Sequence, residues 1–227
     1  MPRNNSNKGK QLAKAAATNL TALPDRFPIA GTEVRPLQLY TVAKRHPEGS
    51  GPWNGEPDKL AWKDAASGLD CILLRQPSGV WGAFVAVSPS HPLWGYECDA
   101  IPSSLDLTGH VEIDYAETCA LYEPEETRIC HVEAHRQSGA HVPNDEHDHA
   151  GDAWWFGCSA DKPGDYVPHS PKPILAREHG ETYRDIDYMY EVAVDLAGQL
   201  AAIERRTPQS ALNHNSVGTS PARLGKS

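Results

Sequence analysis

From Leu60 onward the chain alternates short apolar runs with turn residues. Asp70 to Leu74 reads DCILL, Gln76-Pro77-Ser78-Gly79 is turn chemistry, and Val80 to Val87 reads VWGAFVAV. Runs rich in β-branched and aromatic side chains, separated by a Pro/Gly turn, predict a β-hairpin. Three further segments, His110 to Tyr115, Thr127 to Val132 and Trp154 to Cys158, have strand texture and are bounded by Pro, Gly or Asp. Near the end the period changes. Ile186, Met189, Ala193, Leu196, Ala197, Leu200 and Ile203 recur at helical spacing, which predicts an amphipathic helix over Tyr183 to Arg205. At 1.5 Å per residue it spans roughly 34 Å. Thr182 with Asp185 three positions on is an acidic variant of a capping box, and Thr207-Pro208 ends the pattern. Strands followed by one helix make the chain α+β, an antiparallel sheet packed by a long C-terminal helix.

Upstream the pattern is broken. Pro24, Pro28 and Pro36 precede the run His46-Pro47-Glu48-Gly49-Ser50-Gly51-Pro52, a cluster of breakers. This divides the chain into a partly disordered extension over 1–52, a single α+β domain over 53–205, and a disordered tail over 206–227. Both tails are basic. Residues 1–14 carry four positive charges and residues 206–227 three, with no acid in either. Subtracting those seven from a formal net charge of -9 leaves -16 between them. So acidic a body repels a phosphate backbone, which argues against duplex nucleic acid as partner. No apolar run reaches the ~20 residues of a membrane span, and there is no export-type leader, so the expected location is the cytoplasm. Five cysteines, an odd number without a CxxC pair, then read as reduced thiols.

The candidate chemistry lies in the strand-like segments. If Gly109 to Tyr115 is extended, period two puts His110, Glu112 and Asp114 on one face and Val111, Ile113 and Tyr115 in the core. His131, Glu133 and His135 repeat the arrangement. An imidazole beside carboxylates holds a divalent metal (Zn, Mn or Mg) or works as an acid/base pair, so His110, Glu112 and Asp114 are catalytic candidates and His131, Glu133 and His135 metal ligands. The polar stretch from Arg136 to Asp152 reads as a loop that can serve as a lid. Alternation sends Trp154 and Trp155 to opposite faces: one goes under the helix, the other meets a loop, partner or ligand. No GxGxxG, Walker A, GxSxG or HExxH motif occurs.

Trp81-Gly82-Ala83-Phe84-Val85, Ser90-His91-Pro92-Leu93-Trp94-Gly95, His110 to Tyr115, Ile129-Cys130-His131-Val132, Trp154-Trp155-Phe156-Gly157, Gly164-Asp165 and Tyr183-Arg184-Asp185 occur in an order that resembles a group of uncharacterised phage and prophage proteins. The resemblance covers about residues 58–205. Where the group has a Trp-Trp-Phe-Gly-Phe-Asp-Cys-Ala-His stretch, this chain places Ser159 at the Asp and Lys162 at the His. Val111 and Glu112 replace two glycines. By analogy the resemblance implies a phage accessory protein that binds a small ligand, including a nucleotide immune signal withheld from the host; the chemistry of the side chains themselves makes His110, Trp154, Trp155, Lys162 and Asp165 the expected ligand-binding residues. The alternatives are a metal-dependent hydrolase of a phosphoester and a protein that blocks a host enzyme by surface contact.

Overall fold

The computed structural model describes residues 23–120, 122–130, 153–170 and 180–206. The polar stretch 136–152, His131, Glu133 and His135, and the tails over 1–22 and 207–227 lie outside them.

Strands β1 (Phe27–Ile29) and β2 (Thr32–Val34) form a separate hairpin. The main sheet contains β3 (Gln38–Tyr40), β4 (Lys59–Lys63), β5 (Asp70–Arg75), β6 (Trp81–Val87), β7 (Tyr115–Thr118) and β8 (Trp154–Ser159). Its order is β3-β4-β5-β6-β8-β7, and every neighbouring pair is antiparallel. The β5–β6 hairpin closes where the pattern puts it. Gln76 N–H donates to Val80 O, and Gly79 takes φ +84° at the turn, a conformation that favours glycine. Helix α1 (Ile186–Arg206) lies on one face of the sheet. There Met189, Ala193, Leu196, Ala197 and Leu200 pack on Leu60, Leu73, Trp81, Val85 and Phe156. The six-stranded sheet with its C-terminal helix is the expected α+β architecture.

The helix begins later than the capping-box reading places it. Asp185 is the cap, its Oδ1 accepting Tyr188 N–H at 2.9 Å, and Glu56 Oε1 accepts Ile186 N–H at 3.0 Å. Thr182 is instead tied across to Gly164 and Tyr166 through backbone bonds. The breaker cluster is not a domain edge either. β3 is an edge strand of the main sheet, and Trp53 is buried, stacked parallel to Tyr166 at 6.1 Å. Prolines and glycines here shape a turn that the aromatic side chain pins down.

A buried ionic centre explains why this turn is held. Arg75, fully buried at the end of β5, donates from Nε to Asp58 Oδ1 at 2.7 Å and from Nη2 to Glu56 Oε2 at 2.6 Å. Its Nη1 reaches Gly79 O and the Tyr183 hydroxyl, and the guanidinium lies 4.3 Å from the Trp81 ring centroid. Glu56 also accepts from Trp81 Nε1 and Tyr183 Oη, while Asp58 accepts Val42 N–H and binds His46. A guanidinium buried this deeply needs its donors matched. Strand β5, the 40–58 segment and the start of α1 are thereby fastened at one point.

The second face of the sheet is also covered, as the nearly continuous apolar runs of β5 and β6 require. Ile72, Leu74, Phe84, Ala86 and Trp155 are buried there together with Ile129. Phe84 lies flat where Gly82 and Gly157 leave room. A methyl at Gly157 would strike its ring, and one at Gly82 would come within 2.8 Å of it. The described part of the expected Thr127–Val132 strand is a loop, turned at Pro124 by N–H donation from Thr127 and Arg128. Cys119 and Cys130 form a disulfide, which corrects the all-reduced expectation for these two. Alternation across distant segments does not reveal which thiols meet. Cys71, Cys98 and Cys158 are free. Among the described residues, no helix is long and apolar enough to cross a membrane.

Candidate functional site

The segment expected to be a strand from His110 is extended only from Tyr115. Val111 takes φ +71° and is 70% exposed, so the side chain assigned to the core points to solvent. His110 goes inward instead. Its burial is set by three partners: backbone N–H to Cys158 Sγ at 3.1 Å, Nδ1 to Tyr188 Oη at 2.8 Å, and Nε2 to Asp165 Oδ2 at 2.6 Å. The ring stands edge-on to Tyr188 at 87°. Carboxylate 165 can only accept, so Nε2 carries the proton; in the neutral ring Nδ1 then accepts from the Tyr188 hydroxyl.

Asp165 organises the surroundings. Its Oδ1 accepts Arg184 Nε at 2.8 Å and its Oδ2 also accepts Lys162 N–H at 2.9 Å. Burial pushes the Asp165 carboxyl up, but the bonds from Arg184, His110 and the Lys162 backbone outweigh it and hold the group below the usual carboxylate range. Arg184 lies over the Tyr188 ring at 4.7 Å. Only its Nε is engaged; the two Nη groups have no hydrogen-bond partner among the described residues.

Glu112 and Asp114 do not join His110. They turn outward and clamp Lys162, whose Nζ donates to Asp114 at 2.8 Å and Glu112 at 3.1 Å, with Asp161 at 3.8 Å. Burial lowers the Lys162 pKa, yet these carboxylates raise it above the ordinary lysine range. The expected one-faced trio of His110, Glu112 and Asp114 is therefore split, because alternation holds only where the backbone is extended, and residues 110–114 are not. No group of three His, Cys, Asp or Glu side chains among the described residues is placed to hold a metal.

The tryptophans do face opposite ways. Trp155 is fully buried on the second face, with Nε1 directed to Cys119 Sγ at 3.4 Å. Trp154, half-buried on the helix side, donates to Tyr96 O and tilts on Trp94 at 6.1 Å. It borders a concavity of about 540 Å³ that also includes Glu97, Asp99, Asp114 and Glu117, an acidic setting that repels phosphate. Of the residues singled out from sequence, the structure brings His110, Asp165 and the Lys162 backbone together and leaves Trp154 and Trp155 apart. Arg184 and Tyr188 were missed as site residues. No helical periodicity pairs them, since Arg184 precedes the Asp185 cap while Tyr188 lies in the first turn of α1.

Val111 gives a direct test of this local backbone. A β-branched residue in the left-handed region is strained. Val111→Gly is expected to stabilise the protein by about 1 kcal/mol, with the strain relieved partly offset by glycine's greater freedom when unfolded. The thermal midpoint should rise by about 2–4 °C; a fall would show that position 111 is held by contacts rather than strained.

No protein-family model, curated protein or solved structure matches this chain.

Proposed function

We propose that the chain is a phage or prophage accessory protein that binds a small ligand, a nucleotide, and that the ligand meets the Arg184–Tyr188 face. One observation carries this reading: among the described residues Arg184 is held by Asp165 through Nε alone, and its Nη fork has no hydrogen-bond partner above the Tyr188 ring. An open guanidinium fork matches phosphate oxygens in a bidentate fashion, and its plane stacks on a base. Lys162 is a poorer phosphate partner than its charge suggests, since a phosphate competes there with Glu112, Asp114 and Asp161. The phage setting and the withholding of a host signal rest on the resemblance over residues 58–205.

A second reading is favoured by one geometric fact. Tyr188 hydroxyl, His110 and Asp165 form a hydroxyl–imidazole–carboxylate relay, the arrangement that activates a hydroxyl for phosphoester hydrolysis. This relay needs no metal ion among its three members.

Native mass spectrometry of the tag-free protein after incubation with mono-, di- and cyclic dinucleotides separates these readings. The binding reading expects a retained, unaltered nucleotide and at least tenfold weaker retention in Arg184→Ala. A nucleotide that is consumed, with consumption abolished in Tyr188→Phe, supports the hydrolytic reading. An empty protein that neither retains nor consumes any of the panel removes both, leaving surface contact with a host protein.

A further inference from the structure

The loop that follows β7 crosses the second face of the sheet. It leaves one edge strand at Cys119 and reaches the opposite edge at Glu125, where β3 and β4 hold it. At that end Lys59 Nζ, on a fully buried side chain, donates to Glu125 O and to Arg128 O at 2.8 Å, and Gln38 Nε2 donates to Glu125 Oε1 at 2.7 Å. The loop then returns, Ile129 enters the second core, and Cys130 closes on Cys119 beside the Trp155 indole. The strap thus has two fastenings of different chemistry. Hydrogen bonds hold its tip, and one covalent bond holds its base.

We propose that the Cys119–Cys130 disulfide is a redox-operated clasp: oxidised, it keeps residues 122–130 closed over Trp155, and reduced by a low-molecular-weight thiol or dithiol, it releases the strap locally while the sheet and α1 stay folded. Cys119 is the partly exposed partner and Cys130 is buried, so an incoming thiolate attacks the Cys119 sulfur. The S–S bond breaks, Cys130 leaves as a thiolate and takes a proton, and a second thiolate resolves the mixed disulfide at Cys119. Two electrons and two protons end on the cysteines, and the reductant is oxidised to its own disulfide. Removing the covalent base enlarges the conformational space of the strap. The tip bonds alone must then hold a loop whose Lys59 anchor loses charge readily: burial, with Arg128 close by, pulls that ammonium down to about 7.

The test is amide hydrogen exchange on the full chain, before and after dithiothreitol, with free thiols counted in both states. The expected result is three free thiols before reduction and five after, at least tenfold faster exchange over 122–130, and unchanged exchange within α1. The Cys119→Ser/Cys130→Ser protein should exchange as the reduced one without reductant. Equal exchange over 122–130 in both states overturns the proposal. So do five free thiols in the air-oxidised protein, or faster exchange throughout the chain, which would make the bond a global brace. If the double variant does not fold, reduction of the native protein decides by itself.

Discussion

Arg75→Met lowers stability by about 3–5 kcal/mol, the scale expected when one partner of a buried ionic group is removed and the other is left uncompensated. Two carboxylates lose their guanidinium at once, since Glu56 and Asp58 both accept from it inside the protein. The methionine stem replaces much of the volume, so the loss comes chiefly from unmatched polar groups and the missing contact with Trp81. Adding Asp58→Asn to Arg75→Met should recover part of the loss, because residues in one network are not additive. Urea denaturation of the four proteins in the cycle checks this. A cost under 1 kcal/mol for the single variant would mean that Arg75 is hydrated and the centre is not closed.

The second large effect is expected at Asp165, whose two oxygens serve Arg184, His110 and the Lys162 backbone. Asp165→Asn preserves the shape but turns one acceptor into a donor facing other donors, a mismatch costing about 2–3 kcal/mol. The acid dependence identifies the cause. The folded Asp165 carboxyl lies below its usual value, so it contributes stability that is fully present above about pH 4 and is lost as pH falls from there through the lowered folded value. The wild-type protein should therefore converge toward Asp165→Asn as the solution is acidified. Denaturant midpoints for both proteins at pH 6 and at pH 3 measure the convergence; a gap that stays constant would assign the loss to packing instead.

What could be read from the chain follows periodicity. The β5–β6 hairpin, β8 and α1 were legible because apolar spacing reports which side chains face a core, and all three lie in regular backbone. The opposed faces of Trp154 and Trp155 were legible for the same reason. His110 was singled out from the sequence and is buried among Tyr188 and Asp165, but Glu112 and Asp114 do not accompany it, because Val111 at positive φ breaks the alternation on which the trio depended. Cys119 and Cys130 meet only through the path of the strap, which no local spacing encodes. The His46–Pro52 cluster read as the edge of an extension over 1–52 because prolines and glycines mask its role. The clue against that reading was Arg75, a cation at the end of an apolar strand, which demanded acids from elsewhere, and Glu56 and Asp58 supply them. Arg184 and Tyr188 read as an ordinary helix start, and only their position over Asp165 and His110 gives them a role.

The His110 imidazole lies inside the protein's own bonding, as a support for the Arg184–Tyr188 face, and among the described residues it belongs to no metal-binding group. Long-range nitrogen–proton correlation spectra of the histidine rings, recorded near neutral pH with and without added zinc, test this most directly. For His110 the expected spectrum has a protonated Nε2 held by Asp165, unchanged by the metal. Rapid averaging of the two nitrogens, or a His110 shift on adding zinc, would contradict it.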